Sequence, residues 1–367
     1  MYIANTSDLE NLCKDLNKND FITIDTEFFR ETTYYPKLCL IQIATKEYSA
    51  IIDPLSPNID LSHLNKILQN ENIVKVFHSA KQDLEILYNL YGELPKNIFD
   101  TQIAASFCNF GDYVSYESLV LDIVDKQIDK SHRISNWSLR PLSDEQIEYA
   151  HGDVTYLVNI YTFLISKLKN NNRFSWAMEE MQILTSTSYF QINIDDAWQK
   201  IKNTRDIKIN LLLKKIASWR EKKAQEYDLP RNHFLNEKYL LKIVQSMPLT
   251  MQELKKIPYF HNIEEKLTQE IIEIVQHSLT EQLEKDVNDN ISNSNCDNPY
   301  LEKLSQLKLL LKSKSNKYQL PPQLIATNLE LKSISNPTEG SKPPRFLSGW
   351  RYKIFGKLVA DMKKENK

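Results

Sequence analysis

The residues with the plainest chemistry in this chain are acids. Phe21-Ile22-Thr23-Ile24-Asp25-Thr26-Glu27 is an apolar, β-branched run that ends in two carboxylates. Such a run predicts a buried strand, and alternation along a strand sets Asp25 and Glu27 on one face, about 6–7 Å apart along the chain. Two unpaired carboxylates there would cost several kcal/mol in desolvation and repulsion, so a cation is expected between them. A hard divalent ion such as Mg2+ or Mn2+, which prefers oxygen ligands, suits the position. The alternative, one carboxylate capping a helix and the other facing water, is left open by these seven residues alone. Asp83 and Asp153 add two further acids, and Tyr149, four residues before Asp153, shares its helix face. Four carboxylates and a phenol fit a two-metal site, in which divalent ions about 3.5–4 Å apart activate water and stabilise both oxygens of an in-line phosphoryl displacement.

The elements that must position these groups are legible from periodicity. Ser7-Asp8-Leu9-Glu10 has the form of a capping box and predicts a helix to about Asn17. The strand at 21–27 is followed by strand patterns at 38–44 and 48–53, close enough in sequence for an antiparallel meander. A helix from about Ser62 to Gln69 leads to a strand at 73–77, and helical spacing resumes so that Asp83 falls in or near a first turn. Ile98-Phe99 reads as a short strand, with Asp100 as the N-cap of the next helix. Gln42, in the second strand, reads as a buried hydrogen-bonding residue. Ser143 to Gln146 forms a second capping box, opening a helix that carries Tyr149 and Asp153, with helical patterning to about Thr187. Strands followed by alternating helices make an α/β domain with a mixed sheet. Beyond it, residues 207–278 read as a helical bundle. Residues 281–299, rich in Asn, Asp, Ser and Glu, read as a solvated linker. Glu226-Tyr227-Asp228-Leu229-Pro230 is echoed by Lys317-Tyr318-Gln319-Leu320-Pro321, an offset of 91 residues that suggests a duplicated helical module.

At 367 residues the chain fits two or three domains, with 41% hydrophobic and 26% charged residues as in a globular protein. No apolar run approaches the ~20 residues of a membrane-spanning helix, and the N-terminus lacks the pattern of a signal peptide, so a cytoplasmic location is expected. Cys13, Cys39, Cys108 and Cys296 are scattered, and the seven histidines show no paired spacing, which speaks against disulfide frameworks and zinc sites. The net charge of -2 hides an asymmetry: residues 300–367 carry 14 Lys and Arg against five Asp and Glu. A basic C-terminal module behind an acidic body predicts a polyanionic partner.

Taken together, Asp25-Thr26-Glu27-Phe28-Phe29-Arg30, Leu40-Ile41-Gln42, His78-Ser79-Ala80-Lys81-Gln82-Asp83 and Trp137-Ser138-Leu139-Arg140 leading to Tyr149-Ala150-His151-Gly152-Asp153 resemble the three motifs of the ribonuclease D family. That family is the tyrosine-bearing branch of the DEDD 3′-to-5′ exonucleases. Residues 207–278, with Trp219-Arg220-Glu221 and Leu229-Pro230-Arg231-Asn232, are similar to its helicase-and-RNase-D C-terminal (HRDC) domain. The segment from 300, with Gly349-Trp350-Arg351, looks like a divergent second copy. The resemblance implies an RNase H-like (DnaQ-like) mixed-sheet exonuclease domain at 1–190, an HRDC domain at 205–280, a linker at 281–299 and a second HRDC-like domain at 300–367. It implies a monomer that trims the 3′ ends of structured RNAs such as tRNA precursors, releasing nucleoside 5′-monophosphates with two Mg2+ or Mn2+ ions. Asp25 would bridge both metals, Glu27 and Asp153 would complete the nucleophile side, Asp83 would serve the leaving-group side, and Tyr149 would orient the attacking water.

Further positions are candidate RNA contacts. Phe28, Phe29, Tyr34 and Tyr35 could stack on terminal bases, and Lys130, His132, Arg133 and Arg140 could meet phosphates. In the bundles Arg220, Arg231, Lys342, Arg345, Arg351 and Lys353 offer cations. Two other readings share most of these features: an exonuclease of the same chemistry acting on DNA, and an RNA-binding scaffold that keeps the fold without the activity.

Overall fold

The computed structural model describes residues 1–129, 135–190, 193–201, 207–286, 299–335 and 343–365. They form two compact units, one of Met1–Phe28, Leu38–Tyr189 and Asn295–Lys367, the other of Phe29–Lys37 and Phe190–Ser294. Lys130, His132, Arg133, Lys342 and most of the expected linker, residues 287–298, lie outside the described residues.

The first unit is built on a sheet of six strands: β1 (Tyr2–Ile3), β2 (Phe21–Phe29), β3 (Lys37–Ala44), β4 (Ser49–Ile52), β5 (Val74–Phe77) and β6 (Ile98–Asp100), in the order β1-β4-β3-β2-β5-β6. β3 and β4 run antiparallel, as the short connection predicts, whereas β2, β5 and β6 are parallel neighbours with Thr23 opposite Val76 and Val76 opposite Phe99. β1, two residues long and parallel to β4, is too short to show an alternation. It escapes sequence reading for that reason.

Helices α1 (Thr6–Leu16), α2 (Ser62–Gln69), α3 (Lys81–Tyr91), α4 (Thr101–Phe107), α5 (Tyr116–Leu119), α6 (Asp144–Asn170) and α7 (Phe174–Met181) complete this part. The expected cap at Ser7 is displaced. Asn5 is the N-cap, its side chain accepting from the Asp8 N–H at 2.9 Å and donating to the Asp8 carboxylate at 2.7 Å, so Ser7 lies inside the first turn. The second capping box forms as read, with Ser143 Oγ accepting from Gln146 N–H at 3.2 Å and Gln146 Oε1 from Ser143 N–H at 3.0 Å. The long helical pattern after it breaks at Asn171 and Asn172, the latter at φ 54°, so Tyr149 and Asp153 sit in the first half of a 27-residue helix.

The second unit is a bundle of α8 (Ile207–Glu226), α9 (Arg231–Phe234), α10 (Glu237–Ser246), α11 (Met251–Lys255) and α12 (Glu265–Asp286) around Leu213, Ile216, Leu240, Ile243, Phe260, Ile271 and Val275. Helix α12 runs to Asp286, into the stretch expected to be linker, because Glu281 to Lys285 are good helix formers that continue its pattern. The same order of elements recurs in α13 (Pro299–Tyr318), α14 (Pro322–Ile325), α15 (Asn328–Ser335), the three-residue α16 (Gly349–Arg351) and α17 (Lys357–Glu365). The five-residue echo marks equivalent turns: Asp228 and Gln319 have φ of 48° and 49°, and Pro230 and Pro321 both cap the short helix that follows.

This last module does not keep a core to itself. Leu307, Leu331, Phe346, Trp350 and Phe355 belong to one buried cluster with Phe107 of α4, Leu164 of α6 and Ala177 of α7. Trp350 stacks on Trp176 at 5.3 Å between ring centres and meets Phe107 edge-on at 5.3 Å. Beside it Arg351 is buried and bonds the Glu180 carboxylate and the Leu324 carbonyl. Trp350→Ala is therefore expected to lower the stability of the whole first unit by about 3–5 kcal/mol. Denaturant unfolding followed by a probe in the sheet checks this, and an unchanged midpoint there would mean that the module folds on its own.

Candidate active site

The acids meet where β2 passes under α6. Thr23, Asp25 and Glu27 share one face of β2 by alternation, and the Thr23 hydroxyl donates to the Val154 carbonyl of α6 at 2.8 Å. That bond sets the helix on the strand so that Asp153, the residue before Val154, faces Asp25. Carboxylate oxygens of Asp25, Glu27 and Asp153 all lie within 4.8 Å of one another. The Tyr149 hydroxyl donates to the Asp153 carboxylate from one turn earlier in α6, as the i, i+4 spacing requires.

Asp83 arrives from the other neighbour of β2. The turn between β5 and α3 is held by Asp100, whose carboxylate accepts the N–H groups of Ser79 at 3.2 Å and Ala80 at 2.9 Å as well as Gln102 at 2.8 Å and Ile103 at 3.3 Å. Asp100 is thus the expected cap and also the tie that orients α3. Asp83, in the first turn of α3, is buried and accepts from the Thr26 hydroxyl at 2.6 Å. It stands beside the three-acid cluster, close enough for Asp25 to raise its pKa, but not within it.

The electrostatics identify what such a cluster of acids calls for. Burial, then repulsion from neighbouring acids, drives the carboxyl pKa values of Glu27, Asp83 and Asp153 above the ordinary range, and burial does the same to Asp25. Among the described residues no Lys or Arg pairs with Asp25, Glu27 or Asp153, and the charges that shift Glu27 and Asp153 are those of other acids. An oxygen-only donor set without a cationic side chain fits a hard divalent metal. Asp25, Tyr149 and Asp153 line a cavity of about 390 Å³, together with His78, Ser79 and Tyr116. His78, whose pKa burial lowers, shares a hydrogen bond of 3.0 Å with Thr101, and Tyr116 donates to the Gly152 carbonyl at 2.9 Å. Sequence reading gave these wall residues no role. Tyr116 in particular lies in a weakly patterned stretch that carries no signal.

The chain matches the family model described as 3′-5′ exonuclease over residues 1–188 and that of the HRDC domain over residues 210–275. It is 38% identical to ribonuclease D of Bartonella henselae over 99% of this chain and 89% of that protein. Against ribonuclease D of Gluconacetobacter diazotrophicus it is 35% identical over 96% of this chain and 90% of that one. The chain belongs to the ribonuclease D family. The crystal structure of Escherichia coli RNase D superposes with a TM-score of 0.85 at 28% identity, covering 100% of this chain and 98% of that one. Of the residues in those motifs, the structure brings Asp25, Glu27, Tyr149 and Asp153 together and sets Asp83 beside them on Thr26, and the family's exonuclease domain works with divalent metal ions.

Several expected RNA contacts have other partners. Arg140 Nε and Nη2 bond both oxygens of Asp53 at 2.6 and 2.7 Å, and Nη2 also donates to the Cys39 carbonyl at 2.7 Å. This guanidinium is engaged in joining β3 and β4 to the segment before α6, so it has little left for phosphate. Tyr34 is only 4% exposed, with its hydroxyl on Glu221, a carboxylate that Arg231 also clamps. Arg220 and Arg351 are buried. Tyr35 remains 41% exposed, Phe28 and Phe29 are half-buried, and Lys353 is exposed. Gln42 is fully buried as read, yet its amide has no hydrogen-bond partner among the described residues. β3 lies between two strands, so the backbone groups around Gln42 are engaged in the ladders.

Two outcomes are expected. Since the folded state holds protons on these acids that the unfolded state releases near pH 4, the metal-free protein should lose stability as pH rises above that range. Glu27→Gln should then raise the thermal midpoint at pH 8 in EDTA by about 2–4 °C, while Mg2+ should stabilise only the parent; equal midpoints in EDTA would deny the repulsion. Arg140→Met should cost about 2 kcal/mol of stability without weakening RNA binding by the folded protein, as filter binding would show.

Proposed function

We propose that this chain trims structured RNAs from their 3′ ends, tRNA precursors among them, releasing nucleoside 5′-monophosphates with two Mg2+ or Mn2+ ions, as a cytoplasmic monomer. The observation that carries the reading is the cluster of Asp25, Glu27 and Asp153 within 4.8 Å, with the Tyr149 hydroxyl on Asp153. The E. coli RNase D structure is described as that of an exoribonuclease involved in structured RNA processing, which supports the substrate class. No helix among the described residues is long and apolar enough to cross a membrane.

In this reading Asp25, Glu27 and Asp153 hold the ions, with Asp83 serving the leaving-group side from its position on Thr26. When bound, the ions supply Lewis acidity that activates water and neutralises charge on the phosphate. The chain's own part is positioning. Tyr149, fixed by Asp153 and packed 5.9 Å from the Trp137 ring, points a hydroxyl into the cavity where it can orient the attacking water. The 2′-OH at the 3′ terminus distinguishes RNA from DNA. Exonuclease, HRDC and second HRDC-like domains at 1–190, 205–280 and 300–367 fit the matched models and the repeated order of helices.

Asp25→Asn is expected to abolish turnover, and Tyr149→Phe to lower kcat tenfold or more while sparing RNA affinity, the loss expected when a reactant is misplaced by about 1 Å. Single-turnover kinetics on end-labelled RNA check both, with an Asp25→Asn enzyme of full activity overturning the metal assignment. Labelled RNA and DNA of one sequence tested together decide the substrate class, and faster release from DNA would reverse it.

A further inference from the structure

A second cavity, of about 520 Å³, adjoins the acid-lined one and shares Ser79, Gln102 and Tyr113 with it. It lies wholly within the first unit, walled by Lys81 and Tyr189 on one side and by Leu324 and Arg345 of the last helical module on the other. Its size falls in the range of ligand clefts, about 300–1,000 Å³. Nothing in the hydrolytic chemistry needs a second chamber.

The lining has the composition of a single-strand track. Tyr113 is 74% exposed and Tyr189 is 43% exposed, so two aromatic faces meet solvent in one groove where either could have been buried. Tyr113 also has φ of 52°, a conformation that costs a bulky residue energy and is kept where a side chain must be presented. Lys81 Nζ stands 4.9 Å from the centre of the Tyr189 ring, a cation beside a stacking surface. The acids in the groove are engaged internally. Asp100 takes four backbone N–H groups, Glu180 is bonded by Arg351 and lies 3.6 Å from Arg345, and Asp112 accepts from the Tyr113 N–H. Arg345, an expected RNA contact, is instead held by the Glu330 carboxylate at 3.0 and 3.3 Å, so Lys81 is the cation that this lining offers. Aromatic faces that accept any base, beside a cation for the backbone, are what a single strand needs and a duplex, whose bases are already stacked, does not.

We propose that this groove holds the single-stranded nucleotides 5′ to the 3′-terminal dinucleotide whose last residue is being removed, so that the last helical module acts as the second wall of a substrate channel. The proposal rests on the exoribonuclease reading above. Its occupant follows from continuity: a strand whose 3′ end reaches the acids must leave their cavity, and the shared wall of Ser79, Gln102 and Tyr113 opens onto this groove.

The test uses the full chain with Mg2+ and two RNA substrates, a dinucleotide, which fills the acid-lined cavity alone, and an unstructured oligonucleotide of about eight residues, within the span such channels bind. Lys81→Ala and Tyr189→Ala are expected to raise KM for the longer RNA by about tenfold, the loss of one stacked base or less, and to leave dinucleotide hydrolysis unchanged. Tyr189→Phe, which keeps the ring, should restore the parent value. In the inactive Asp25→Asn background, 2-aminopurine placed a few nucleotides from the 3′ end should be quenched on binding, and Tyr189→Ala should relieve the quenching. Unchanged KM for the longer RNA, an equal loss on both substrates, or quenching indifferent to Tyr189 would each overturn the proposal. A parent enzyme that hydrolyses neither RNA would instead overturn the exoribonuclease reading.

Discussion

Repulsion among Asp25, Glu27 and Asp153 is the constraint around which the first unit is arranged. Three carboxylates within 4.8 Å would separate on any flexible scaffold. They are kept together because two adjacent positions on one face of a central strand cannot move apart, and because the Thr23 hydroxyl fixes α6 to that strand at the residue after Asp153. The sheet and the long helix supply the rigidity, and the unfavourable charge becomes affinity for a divalent cation. Asp83 is held by separate means, through Thr26 and through the Asp100 tie across the β5–α3 turn, so its position can be set independently of the cluster.

The last helical module resembles the preceding bundle in its elements but not in how its core is closed. Its helices repeat those of the preceding bundle in order and in turn geometry. Its apolar face, however, is closed by α4, α6 and α7 through Trp350, Trp176 and Phe107. The Arg351 guanidinium, buried on Glu180, gives that interface a direction, since a planar fork matches a carboxylate in few orientations. The bundle at 210–275, by contrast, has its own closed core.

Arginine is where sequence reading and structure part most clearly. A guanidinium meets phosphate and carboxylate by the same geometry, so Arg140, Arg231 and Arg351 looked alike from their neighbours in sequence. Their partners, Asp53, Glu221 and Glu180, lie 87, 10 and 171 residues away. No local pattern could reveal two of those three pairings. The same holds for Tyr34, an aromatic beside the first acidic motif that closes over Glu221.

The acids themselves were legible because each sits at a position where local periodicity already speaks: a strand end for Asp25 and Glu27, a helix start for Asp83, an i, i+4 pair for Tyr149 and Asp153. The caps at Ser143 and Asp100, the mixed sheet and the matching turns at Asp228 and Gln319 were legible for the same reason, as products of interactions within a few residues. What only the tertiary structure decided is which of four acids form the cluster, which arginines are engaged inside the protein, that the last module shares the nuclease core, and that a second chamber opens beside the acids. These depend on which distant side chains come into van der Waals or hydrogen-bond range, and that is settled by how helices pack on the sheet rather than by the sequence around any one of them.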